Sequence, residues 1–283
     1  GGVAKAGNIS TGNVSMDVGK SGEAYFYQWN YANADNDTNK GTASVGDLTV
    51  GNVDVKIGEN GYASYEMSHE AFSDKGDATA GNLTVGNVNV VASGPSAGFY
   101  SWHYNRAKAD TSGNAKVGNM TIGDVNLDLG DVAGYNGVSY SNWVESYKGN
   151  ATIGTHSVGD VSISVGDNVN DNDDYAYFYN GAYAWAHTAG NATIGNRTFG
   201  DINMTVGDGY GANPEIYLSA TAASGTATIG TLTVGNVDVS VGDSSEGFFT
   251  IEDTLSIAAS YKSTSSIGAV SLGNVTVDAG EEG

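Results

Sequence analysis

The sequence predicts an all-β chain: a β-solenoid of eight repeats, each about 37 residues long, stacked parallel and in register. Three observations predict it. One short phrase recurs eight times, as in "NLTVGNVNVV" from Asn82 and "TLTVGNVDVSVG" from Thr231. Its tail alternates apolar and polar residues with the period of a half-buried strand. Glycine fills 42 of 283 positions while proline fills 2, a balance that suits tight turns between paired strands and argues against collagen-like chain.

The phrases occupy residues 6–19, 43–58, 78–93, 115–130, 151–166, 192–207, 227–242 and 265–280, and the chain reads as a single domain over 1–283. Their central glycines are Gly12, Gly51, Gly86, Gly123, Gly159, Gly200, Gly235 and Gly273, spaced 35 to 41 residues apart. Glycine before and after each tail reads as a corner where φ has to be positive. Within the tail one inward column runs Val14, Val53, Val88, Val125, Val161, Ile202, Val237, Val275. The next runs Met16, Val55, Val90, Leu127, Ile163, Met204, Val239, Val277. Each phrase thus reads as a strand pair and its corner. The second half of each unit is a longer alternating segment rich in aromatics, such as Ala24–Ala34, Phe99–Ala109 and Tyr175–His187. Polar bends such as Asp167–Asp174 precede several of these and absorb the variable spacing. A unit this short cannot bury its valine face alone, whereas stacking equivalent units does.

Composition narrows the function classes. Eleven Lys and Arg stand against 32 Asp and Glu, a formal charge of −21, so nucleic acid and anionic membrane surfaces are disfavoured partners. Cysteine is absent, which removes disulfides and thiol chemistry. No apolar run approaches membrane-spanning length, and the opening residues lack the apolar core of a signal peptide. The cationic residues are scattered, and no Ser/His/Asp order, phosphate-cradling glycine loop or metal-ligand spacing stands out, so catalysis is not expected.

The eight Gly/Asn/Val/Thr-rich units resemble the bacterial β-solenoid surface proteins, both the functional-amyloid fibre subunits of the curli and Fap kind and the repeat shafts of large secreted adhesins. The repeat is longer than that of curli and lacks its regular glutamine pattern, and the calcium-binding glycine-rich nonapeptide is absent. The resemblance implies secretion to the cell surface or beyond, fibre formation, and a biofilm-matrix or adhesive role without catalysis.

Four features invite a chemical reading. The column after the central glycine is Asn or Asp throughout, with Asp124, Asp160 and Asp201 in consecutive units. Ca²⁺ could bridge them, but solvent exposure or capping of corner amides is the favoured alternative; no other cofactor is expected. Asp171 and Asp173 form a second oxygen-rich spot, without EF-hand spacing. A hydroxyl column (Ser10, Thr49, Thr84, Thr121, Ser157, Thr198, Thr233, Ser271) suits ice binding in principle and the outer face of a strand more simply. The aromatic segments could stack polysaccharide rings, although packing or contact between protofilaments is favoured.

The expected partner is a second copy, added head to tail through the solenoid ends. Ile9, Val14, Met16 and Val18 form one edge and Val270, Leu272, Val275 and Val277 the other. Thr276 and Asp278 are expected to carry the amide donors of the latter edge.

Overall fold

The computed structural model describes residues 2–34, 41–131, 136–168, 174–257 and 264–280. The chain winds as a parallel β-solenoid, one coil per repeat. Each of the first seven coils contributes one strand to each of four sheets and the eighth, among the described residues, to three, so three sheets hold eight strands and the fourth holds seven. Every pairing in these sheets is parallel, and equivalent residues of successive repeats lie side by side, as with Val88 between Val53 and Val125.

The repeated phrase proves to be three short strands and two corners. In the first coil these are Val3–Ala6, Ile9–Thr11 and Val14–Val18, one on each of the first three sheets. The fourth sheet is built from the aromatic segments, which are much longer: Glu23–Ala34, Tyr62–Lys75, Gly98–Ser112, Asn136–Lys148, Asp174–Ala189, Tyr210–Ala222 and Thr250–Ile257. The valine columns point into the lumen as the alternation requires, with Val53, Val88, Val125, Val161 and Val237 no more than 1% exposed.

In the G-N/D dipeptide the Asn or Asp caps a corner amide, one of the expected alternatives, whereas the glycine is required for a reason other than the expected positive φ. At each second corner the Asn or Asp Oδ1 accepts the backbone N–H of the equivalent residue one coil on. The series runs Asn13, Asn52, Asn87, Asp124, Asp160, Asp201, Asn236, Asn274, with N···O distances of 2.7–3.1 Å. The preceding glycine must leave room for that oxygen. A Cβ at Gly51, Gly86, Gly123, Gly159, Gly200 or Gly235 would stand 2.1–2.4 Å from it. These glycines are required by close approach, because the positive-φ glycines lie elsewhere, among them Gly113, Gly190 and Gly225 where the fourth sheet returns to the first. Parallel ladders run at the first corner, from Asn8 through Asp47 and Asn82 to Asn119, and at the third, through Asp131, Asp167, Asp208 and Asp243.

The amide directions also differ from expectation. Inward residues donate to the following coil, as Val14 does to Asn52 and Val237 to Asn274. Outward residues therefore donate backwards, as a parallel ladder alternates. Thr276 and Asp278 point back into the solenoid, and the N–H groups on the open edge belong to Val275, Val277 and Ala279.

Candidate functional site

The fourth sheet carries most of the side-chain chemistry of the molecule. Along each long strand alternate residues face the lumen and the solvent. All four tryptophans, Trp29, Trp102, Trp143 and Trp185, take outward positions, and Trp29 is 74% exposed. Aromatic side chains of this size are ordinarily buried, so a sheet face that turns four of them outward, each in a different register row, is a candidate contact surface. The sequence identified the aromatic segments but could not assign their faces; the structure puts Tyr65, Phe99, Tyr140 and Phe178 inside and the larger share outside.

Register sets rings beside small or acidic groups in successive coils. One outward row reads Tyr25, Ser64, Tyr100, Gly137, Tyr177, Asn213, and the next reads Tyr27, Glu66, Trp102, Ser139, Tyr179, Glu215. Tyr100 and Tyr177 lean together over Gly137 with their ring centroids 6.5 Å apart. Trp102 stacks on Tyr104 at 5.2 Å with 14° between the planes. Trp143 meets Trp185 edge-on at 4.8 Å. Between the rings lie carboxylates: Glu66 accepts the Ser64 hydroxyl and Glu215 accepts the Asn213 amide, each at 2.8 Å. The nearby cations are already engaged. Arg106 lies over Phe72 and Trp143, and Lys108 pairs with Asp110 and Glu145.

A cleft of about 480 Å³ opens on this surface, lined by Tyr100, Ser139, Tyr177, Tyr179, Asn213 and Glu215, with Tyr175 and Phe248 at its margin. Burial raises the Tyr100, Tyr177 and Tyr179 phenols above their ordinary pKa, so all three remain neutral donors near pH 7.

The lumen holds a polar seam that the sequence reading missed. Asn30, His69, Asn105 and Asn142 share one inward row of the fourth sheet. The second sheet supplies His156 and Arg197 from a row otherwise made of Ile9, Leu48, Leu83, Met120, Leu232 and Val270. The His156 ring lies 3.3–3.4 Å from the Asn142 and Asn180 amides. Burial pushes His69 down to about 4 and His103 to about 3, and burial with help from Arg197 lowers His156 well below its ordinary value. None of the three Arg197 guanidinium nitrogens has a hydrogen-bond partner, and burial pushes its pKa down to about 9. Two polar residues interrupting a leucine column were the available signal.

Asp124, Asp160 and Asp201 are brought into one column, each engaged with the next amide as a corner cap. Among the described residues no three His, Cys, Asp or Glu side chains gather as a metal site. Asp171 and Asp173 lie outside the described residues. The two solenoid ends are unlike. Val14, Met16 and Val18 are buried and Ile9 half-buried, whereas Val270, Leu272, Val275 and Val277 are 40–51% exposed. The fourth sheet accounts for the difference: Glu23–Ala34 closes the lumen of the first coil, and among the described residues no strand of that sheet follows the eighth coil. Among the described residues no helix is long and apolar enough to cross a membrane. Comparison with protein-family models, with curated proteins and with solved structures finds no match to this chain.

Proposed function

We propose that this chain is a structural subunit whose copies stack head to tail into an extracellular filament or matrix fibre. The observation that carries the reading is a complementary pair of ends. On the last coil Val270, Leu272, Val275 and Val277 lie open to solvent, and the N–H groups of Val275, Val277 and Ala279 face away from the solenoid. The first coil presents the opposite half of the ladder, the backward-facing N–H groups of Ser15 and Asp17 and the carbonyls beside them. The Asx ladder extends the match. Asn274 accepts nothing from a following coil, while Gly7 and Gly12 have open space where interior glycines meet an Asx oxygen. Asn274 of one copy thus fits beside Gly12 of the next, against the amide of Asn13. Corner spacings agree as well: Ala6, Ile9 and Val14 correspond to Ile267, Val270 and Val275. Such a contact joins different surfaces, so it propagates instead of closing. It engages the three sheets of short strands.

Val277→Pro tests this. It removes a donor facing the open edge without breaking a bond within the chain. The wild-type protein is expected to form filaments in negative-stain electron micrographs, and a variant with unchanged circular dichroism is expected to stay monomeric. Wild-type protein that remains monomeric at every concentration would refute the reading, as would filaments of normal length from folded Val277→Pro.

A further inference from the structure

We propose that the outer face of the fourth sheet binds an extended, neutral, β-linked polysaccharide chain laid along the solenoid axis, with the cleft around Tyr177 and Tyr179 as its anchor. The cleft draws its lining from five successive coils, from Tyr100 in the third to Phe248 in the seventh. At about 4.8 Å per layer this is a track of roughly 19 Å. The layer spacing is close to the rise of one sugar along an extended β-linked chain. A coiled α-linked chain drifts out of register with such a lattice.

The chemistry of the lining selects the ligand. Pyranose rings have an apolar face of C–H groups and an equatorial rim of hydroxyls. Tyr100, Tyr177 and Tyr179 supply aromatic faces for the former. Glu215, Asn213 and Ser139 supply acceptors and donors for the latter. Glu215 accepts the Asn213 amide on one oxygen, which holds the carboxylate in the cleft lining. Charge decides between sugar classes. Glu66, Glu70, Glu145 and Glu215 face the same side of this sheet, and Arg106 and Lys108 are held by rings and carboxylates. Uronate or sulfated chains therefore meet a surplus of negative charge on this face, these four carboxylates against Arg106 and Lys108. The same carboxylates disfavour face-to-face pairing of two copies, which would set acid against acid.

The face is separate from the coil ends, so its ligand can be tested on monomeric protein. Cellohexaose is titrated into protein held monomeric by Val277→Pro and checked by ultracentrifugation, with tryptophan fluorescence and calorimetry as readouts. Saturable binding is expected, with maltohexaose bound more weakly and an oligouronate of equal length not bound. Tyr177→Ala and Tyr179→Ala are each expected to weaken binding about tenfold, the size of one lost stacking contact. Glu215→Gln keeps the shape of the side chain and is expected to weaken it severalfold with circular dichroism unchanged. Absent binding of cellohexaose overturns the proposal, as does affinity that survives in all three folded variants. Equal binding of the oligouronate overturns the charge argument and with it the ligand class. Lateral self-association abolished by Tyr179→Ala, without sugar binding, assigns the face to a second copy instead.

Discussion

At the scale of single residues, the most exacting positions are the corner glycines. A methyl group at Gly123 would meet Asn87 Oδ1 at 2.2 Å and backbone at 2.9 Å. Gly123→Ala is therefore expected to lower stability by about 1–3 kcal/mol, read as a fall in the urea midpoint. Asn87→Ala, which loses only the ladder bond, should cost about 1 kcal/mol. If Gly123→Ala proves neutral, the close-approach account of the repeat fails. Arg197 presents the opposite case. Its guanidinium is fully buried, without a hydrogen-bond partner, between His156 of the preceding coil and Leu232 of the following one, in a row that is otherwise apolar. Replacing an unpaired buried cation by a side chain that suits the row relieves a desolvation cost, so Arg197→Leu is expected to raise the melting temperature. A lowered melting temperature would show that the guanidinium has a compensating partner.

The buried histidines add a dependence on pH. His69 and His103 have folded-state values of about 4 and about 3, below the ordinary 6.5, so the folded state resists protonation while the unfolded chain accepts it. Their stability contribution is complete above about pH 6.5. It declines as pH falls from there through about 4 and about 3, each unit costing about 1.4 kcal/mol per histidine. Between pH 6.5 and 5 the ordinary carboxylates stay ionised, so relief of acidic repulsion does not yet oppose this loss. Thermal melts across that range should show falling stability in the wild type and a shallower fall in His103→Phe. A flat profile would mean that these rings are hydrated in the native state.

At the scale of the element, the short strands and the long strand serve different ends. Strands of three to six residues, such as Leu83–Val85 and Val88–Ser93, turn every second side chain inward and let Asx caps complete the corners. Buried columns of identical character make each layer depend on the next, so a charge in one damages several. Val161→Asp, at 1% exposure, is expected to cost several kcal/mol and to broaden or abolish the cooperative melt. Val275→Asp, in the same column but 45% exposed, should leave the melt nearly unchanged while impairing end-to-end stacking. Equal losses from the two would contradict the burial difference between interior and terminal coils. The long strands of the fourth sheet carry a second, outward pattern of rings and acids that the lumen does not require, which makes them the natural carriers of binding.

At the scale of the whole molecule, a formal charge of −21 on a rod of stacked layers opposes association of copies. Raising ionic strength from a few millimolar to physiological values shortens the Debye length from about 30 Å toward about 8 Å, so stacking should accelerate. Light scattering at several salt concentrations, with and without Ca²⁺, measures this. Rates independent of both would indicate that the contact is not limited by charge. Because the two ends differ in shape and polarity, growth by their pairing would be polar and unlimited, whereas a closed dimer would need one surface to match itself.

The sequence by itself determined the solenoid: a phrase written eight times with period-2 valine columns has one economical way to bury its apolar side, by stacking on its own copies. It also contained the corner rule, since G-N/D recurs at every turn, but the reason appeared only when Oδ1 was seen in the space a Cβ would take. Tertiary structure alone decided what depends on the facing of long, two-sided strands. An alternating segment such as Phe99–Ala109 has side chains suited to either face, and which set enters the lumen is fixed by how the other three sheets close around it. For the same reason His69, Asn105, His156 and Arg197, distant in sequence, became one buried seam only when register brought their rows together across the lumen.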